Sequence, residues 1–389
     1  MELDKDTINR LARMSDPLGV ISVYVDADRE ESTDPNAWRL RLRHQLDKLQ
    51  EHFGGEASRE AQMALDRRLN ELEPELRWLQ DPSTHGIGRV LFAPLQTDEV
   101  YTISMQVKVK DLALCESTPY IRPLLSVWEK GSPTGIIAVS AGGVRFVDYR
   151  FGMAKDLATW EFHKPTQDWH EKKGPSPSSP AEPRQGVAHR DRFDAKYAEH
   201  VLHFLHTRHQ LIDDYVRKNK WEYLLVTGES PLVDAILSRY DVPPGLTVGR
   251  SSQGVWEMPA AALVDAVAPD LEAARAETRR KYVREVLDRK DVVFGLDQTL
   301  TAIQQGQVGV LLINEAREWS GSRSNDGVYV SEGVVPPGAD DKDLQPEERM
   351  GERLVELAMR NDTEVVVLDP QLADELGVQA RGLAGLLRW

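Results

Sequence analysis

The sequence predicts an α/β (α+β) protein of three consecutive mixed domains, the third a small α/β sandwich. Three observations carry this. At 389 residues the chain is too long for one hydrophobic core. Short apolar runs of the buried-strand kind alternate with stretches of helical period along the chain. Finally, Pro119–Pro133 reads as a junction and a long helix from Asp270 opens the last part, giving domains at 1–125, 126–268 and 269–389.

In order, residues 4–14 read as a short helix and Gly19–Ala27 (GVISVYVDA) as a strand apolar on both faces. Asp34-Pro35-Asn36 opens a helix whose stripe is Trp38, Leu40, Leu42, Leu46 and Leu49, ended by Gly54-Gly55. A second helix, Ser58–Leu79, completes a helical hairpin packed on a sheet that includes Arg89–Pro94 and Val100–Val107. In the middle part, GIIAVSA and GVRFVDYR are strands joined at Gly142-Gly143, a turn that needs backbone open to glycine. A polar loop, His163–Arg190, follows, then a charged helix (Asp191–Lys218), a buried strand (Tyr223–Gly228) and a helix at Leu232–Tyr240. The third part reads as helices at Asp270–Lys290, Asp297–Gln305 and Leu344–Arg360 and strands at Val308–Asn314 and Glu364–Asp369, with a Gly/Ser/Pro-rich loop over Gly321–Gly338. The closing GLAGLLRW ends on an aromatic expected to be buried.

A net charge of −15 argues against a protein that coats nucleic acid non-specifically, though not against a local basic patch. The single cysteine, Cys115, excludes an internal disulfide and a Cys-rich metal site. No apolar run is long enough to span a membrane, and MELDKDTINR is unlike a signal peptide, so a cytoplasmic location is expected. The phosphate-loop, HExxH, GxSxG and GxGxxG signatures are missing. Seven of the ten histidines lie between His163 and His209, four of them at three-residue steps that drift around a helix rather than sharing a face. No metal and no cofactor are therefore expected. The acidic run Asp340, Asp341, Asp343, Glu347, Glu348 reads as a solvated helix start.

The loop is the part that does not read as scaffold. A loop this long inside a compact domain is usually functional or disordered. From Lys164 to Arg190 it carries five cations (Lys164, Lys172, Lys173, Arg184, Arg190) against three anions, in an acidic chain. Trp169 can stack on an unpaired base, and five prolines hold the segment extended. His170, Gln185, His189 and Arg192 complete the candidate RNA-binding set. Composition alone leaves two readings open, an arm that inserts into an RNA cavity and an insertion without a role.

The order and spacing of several phrases resemble the archaeo-eukaryotic release factor/Pelota superfamily, and within it the bacterial branch that includes a ribosome hibernation factor. They are LGVISVYVDADR, GIIAVSAGGVRFVDYRFG, HRDRFDAKYAEHV after the loop, VGVLLINEA, ERMGERLVELAMRNDTEVVVLD and GLAGLLRW. The resemblance implies a monomeric factor that enters the ribosomal A site, with a ribonuclease-H-like middle domain whose loop reaches rRNA near the peptidyl transferase centre. It also implies a third domain that contacts an elongation-factor-Tu-like GTPase. Where release factors carry Gly-Gly-Gln, this loop reads Arg184-Gln185-Gly186, without the two glycines that permit the tight backbone turn. The expectation is a non-catalytic factor occupying idle or stalled ribosomes. The alternative is a rescue enzyme that hydrolyses peptidyl-tRNA through Gln185. A second basic stretch, Arg279, Arg280, Lys281 and Arg284, is a further candidate for RNA contact.

Overall fold

The computed structural model describes residues 3–28, 37–56, 58–140, 142–161, 209–238, 240–254, 256–336 and 340–389. By internal contacts the chain forms two units, Met1–Gly131 with Arg279–Trp389, and Ser132–Thr278.

The chain enters through α1 (Lys5–Ala12), capped by the Asp4 carboxylate, which accepts the Thr7 N–H at 2.7 Å. β1 (Val20–Asp26) is almost wholly buried. α2 (Ala37–Glu56) runs on through Gly54-Gly55, where the sequence reading ended it. Glycine late in a helix costs only about 1 kcal/mol against alanine, and Trp38, Leu42 and Leu49 hold this helix on the sheet. The stretch expected as one helix is two, α3 (Arg59–Glu71) and α4 (Glu73–Gln80). Pro74 falls in the first turn of α4, where its missing N–H is harmless; inside a continuous helix it would break the ladder. β2 (Gly88–Pro94), β3 (Tyr101–Met105) and β4 (Leu112–Glu116) complete an antiparallel sheet of order β3-β2-β1-β4. α5 (Arg122–Gly131) occupies the expected junction.

The second unit opens with β5 (Thr134–Ser140), β6 (Gly143–Arg150) and β7 (Met153–Glu161). α6 (His209–Asn219), β8 (Tyr223–Gly228), α7 (Ser230–Leu237) and β9 (Thr247–Ser251) follow. The sheet order is β7-β6-β5-β8-β9, with β5, β8 and β9 parallel and β6 antiparallel to both its neighbours. With only the second strand reversed, this is the ribonuclease-H-like order that the resemblance implies. One face packs Ile137, Val139, Phe146 and Val226 against α6 and α7. The other packs Ile136, Ala138, Val147 and Leu225 against Leu263, Val264, Val267 and Leu271 of α8 (Ala260–Leu287). α8 is one helix through Pro269, so the boundary expected at 268/269 falls inside it. The hydrogen bond lost at Pro269 is outweighed by the buried face on both sides of it, at roughly 1.5–3 kcal/mol per buried large aliphatic side chain.

The remaining elements are β10 (Val292–Phe294), α9 (Gly295–Gln304), β11 (Val308–Asn314), β12 (Gly321–Ser324), β13 (Tyr329–Ser331) and β14 (Leu344–Glu347), then α10 (Met350–Arg360), β15 (Glu364–Leu368), α11 (Pro370–Asp374) and β16 (Leu383–Leu387). They build a sheet of order β10-β16-β11-β15 and a small one, β13-β12-β14. Three expectations are corrected here. The Gly321–Gly338 loop carries β12 and β13, and residues 344–347 extend as β14, so the helix starts at Met350 rather than Leu344. Pro346 offers no N–H to a helix, and β14 pairs with β12 instead. Trp389 is 79% exposed, because β16 ends at Leu387 and leaves the last ring beyond the sheet. The α/β class with several sheets is as the sequence predicts.

Candidate functional site

The 162–208 segment leaves from one end of the second unit's sheet. β6 and β7 pair from Arg150↔Met153 to Gly143↔Glu161, so the last described residue before the segment stands beside the first residue of β6. Beyond the segment, α6 opens at His209 and leads directly into β8.

Aromatic rings tie the two sides of this root together. Trp160, one residue before the end of β7, meets Phe146 edge-on at 5.1 Å. Phe146 lies 5.0 Å from Tyr215 of α6, and Trp160 lies 6.4 Å from the same ring. Tyr215 stacks on Trp221 at 6.3 Å. Such pairs add about 0.5–1.5 kcal/mol each beyond the area they bury. The Trp221 indole N–H donates to Asp148 at 2.6 Å, satisfying the one polar atom of a buried ring. Arg150 donates to both oxygens of Asp148 and to the carbonyl of Asn219 at the end of α6. Gly135 makes the stack possible: a Cβ there would stand 2.1 Å from the Trp221 ring. Tyr240 donates to Asp213 of α6 at 3.0 Å, and burial together with that carboxylate holds its phenol well above the ordinary value.

A cleft of about 610 Å³ lies at the carboxyl ends of β5 and β8, lined among others by Ser140, Gly228, Glu229, Trp256 and Met258. In open α/β sheets this is the edge at which ligands are bound. Arg145 fixes its far wall. Its Nε and Nη2 donate to Asp156 at 2.5 and 2.9 Å, while Nη1 donates to the carbonyl of Trp256 at 3.3 Å and to that of Met258. Trp256 in turn covers Gly143, which pairs with Ser140 as the first residue of β6, so the turn expected at Gly142-Gly143 lies between Ser140 and Gly143. A Cβ on Gly143 would come within 2.7 Å of the Trp256 ring, and its φ of 157° also favours glycine. Chemically the arrangement is positional: a rigid base holding the entry and exit of a segment in fixed places.

Lys164, Trp169, His170, Lys172, Lys173, Arg184, Gln185, His189, Arg190 and Arg192 all lie outside the described residues. The second basic stretch does not gather into one open patch. Arg280 pairs with Glu375 at 3.0 Å, Lys281 stands 3.8 Å from Glu285, and Arg279 is half-buried. Among the described residues no cluster of His, Cys, Asp or Glu is placed to hold a metal, and no helix is long and apolar enough to cross a membrane. The sequence reading missed Arg145, Trp160, Tyr215 and Trp256. The sequence signal for Trp160 is the alternation LATWE in β7.

Residues 132–244 match bacterial archaeo-eukaryotic release factor family 5. This stretch is therefore similar to a domain of the bacterial archaeo-eukaryotic release factors. The match begins where the second unit begins, at Ser132, and covers β5 to β8, the root and the intervening segment, ending before β9. Whole-chain likenesses to solved structures are distant. Saccharomyces cerevisiae Dom34, a translation termination-like factor that interacts with Hbs1, is 13% identical over 78% of this chain and 79% of its own, with a TM-score of 0.38. Archaeoglobus fulgidus Pelota is 14% identical over 78% and 79%, at 0.33. The archaeal translation termination factor aRF1 is 16% identical over 100% and 99%, at 0.24. No curated protein matches the chain.

Proposed function

We propose that this protein is a ribosome-binding translation factor of release-factor/Pelota type. In this reading it occupies the A site of idle or stalled ribosomes, with the 163–190 loop directed to rRNA near the peptidyl transferase centre. The observation that carries the reading is the release-factor family match at 132–244, with the basic, proline-rich loop inserted between β7 and α6. The cations of the loop suit phosphate contact, and the acidic remainder limits promiscuous RNA binding. Arg184-Gln185-Gly186 in place of Gly-Gly-Gln supports occupancy without hydrolysis, since the water-positioning turn lacks its glycines. A cytoplasmic location and an elongation-factor-Tu-like GTPase partner belong to the same proposal.

Co-sedimentation with vacant ribosomes at near-physiological salt tests it. Binding is expected for the native chain and a loss of at least tenfold for the triple change Lys172→Glu, Lys173→Glu, Arg184→Glu. Equal sedimentation of both proteins sinks the reading. Peptide release that Gln185→Ala abolishes would replace occupancy with hydrolysis.

A further inference from the structure

Within the first unit, a buried charged seam joins the 116–126 stretch to α10. Glu116 accepts from Arg349 and Arg353. Thr118 Oγ1 donates to Glu356 at 3.0 Å, and Arg353 reaches the same carboxylate at 2.7 Å. Arg122 donates to Glu318, and Ser126 and Lys130 to Glu315. At the centre lies Glu352, 1% exposed. Its Oε1 accepts the backbone N–H of Ile121 at 2.8 Å, while Oε2 meets no donor. The nearby Arg122 is engaged with Glu318, and its Nη1 rests on Gly351, where a Cβ would intrude to 2.0 Å. A carboxylate this buried, with only the backbone N–H groups of Ile121 and Arg122 beside it, is poorly solvated; the neutral acid suits the place better.

We propose that Glu352 is a proton-operated tie, closing the 118–122 stretch on α10 when protonated and loosening it when ionised. Burial pushes its carboxyl up to about 8, against the partial opposition of the Ile121 N–H and Arg122 and with the support of Glu318. The groups facing it from other elements are Arg122 of α5, Glu318 of the loop before β12, Tyr24 of β1 and Tyr120, while Arg353 and Glu356 lie on its own helix. Burial also raises the Tyr24 and Tyr120 phenols, so both stay neutral across the range that matters. Glu347, 3.6 Å from Arg353, is raised by burial too and titrates in the same sense.

The closed seam keeps a proton on Glu352 that an opened, solvated seam releases near the ordinary value of 4.5. Between about 4.5 and about 8, then, closure weakens as pH rises, by roughly tenfold per unit for one proton, and levels off above that range. Hydrogen exchange of the Tyr120–Arg122 amides in the full chain reads this directly, corrected for the intrinsic rate at each pH and referenced to the Ile136–Val139 amides of the other unit. Protection is expected to fall about tenfold per unit from pH 5 to 8 in the native protein. In Glu352→Gln, which keeps the Ile121 acceptor without the proton, the slope should fall to the small part that Glu347 contributes. A flat profile in the native protein, or an equal slope in Glu352→Gln, overturns the proposal. Should Glu352→Gln fail to fold, Glu347→Gln decides: it retains most of the slope if Glu352 is the tie and loses most of it if Glu347 is.

Discussion

The rings of Trp160 and Tyr215 stand 6.4 Å apart at 67°, one from the end of β7 and the other from α6, on opposite sides of the 162–208 segment. Their contact fixes the distance across which that segment must begin and end. Trp160→Ala empties the middle of the Phe146–Trp160–Tyr215 group. For a half-buried ring the loss is about 2–3 kcal/mol, below the full core value. A urea midpoint lowered accordingly is expected, together with weaker ribosome co-sedimentation although no loop charge has changed. Trp160→Phe should restore most of both. Ribosome binding that is indifferent to Trp160→Ala would show that the root does not position the segment.

Arg145 acts on the opposite wall. Its partner Asp156 is half-exposed, so that ion pair contributes little. The cost of Arg145→Met comes from the carbonyls of Trp256 and Met258, which lose their donor: about 1–2 kcal/mol. Released from this clamp, Trp256 should move toward water. A red-shifted tryptophan emission in Arg145→Met that disappears when Trp256→Phe is added would confirm the link. Unchanged emission would place Trp256 under other control.

Gly135→Ala tests the stack from below. A methyl 2.1 Å from the Trp221 ring has to displace the indole and strain its hydrogen bond to Asp148. Overpacking of this kind costs about 1–3 kcal/mol. Thermal unfolding should show the loss, and a native-like melting temperature would mean that β5 and Trp221 can part without penalty.

How much of this was legible in the chain follows from what each element is made of. β1, β5, β8 and β11 stood out because their apolar runs are buried along almost their whole length. β7 did not: it is an edge strand with one face in water, and MAKDLATWE reads as mixed. β12, β13 and β14 are only three or four residues long and pair chiefly with one another. The basic loop was visible as composition, because charge and proline content need no tertiary structure. Its root was not, since Trp160, Tyr215 and Trp221 become neighbours only when β7, α6 and β8 pack. The seam around Glu352 was hidden for the same reason. In sequence, ERMGERLVELAMR is an amphipathic helix with acids and bases in plausible surface places; only the fold buries Glu352 and Arg353 against residues 116–122.

Cys115 gives the last prediction. It lies on β4, with its Sγ so close to Gly19 that a Cβ there would come within 2.5 Å. Burial, with the Asp16 carboxylate adding to it, pushes the thiol up to about 12 from an ordinary value of 9.0. A rise of this size lowers the thiolate fraction at pH 8 by about a thousandfold, and the thiolate is the species that alkylates. Iodoacetamide should therefore leave native Cys115 essentially unmodified at pH 8 over a time that labels a free thiol fully. Labelling should appear only as urea unfolds the first sheet, with the same midpoint as the loss of its structure. Raising the pH to 9 should not rescue the native reaction, because the thiol is still protonated there. Rapid stoichiometric labelling of the folded protein would contradict both the burial of Cys115 and the closed packing of β4 against β1.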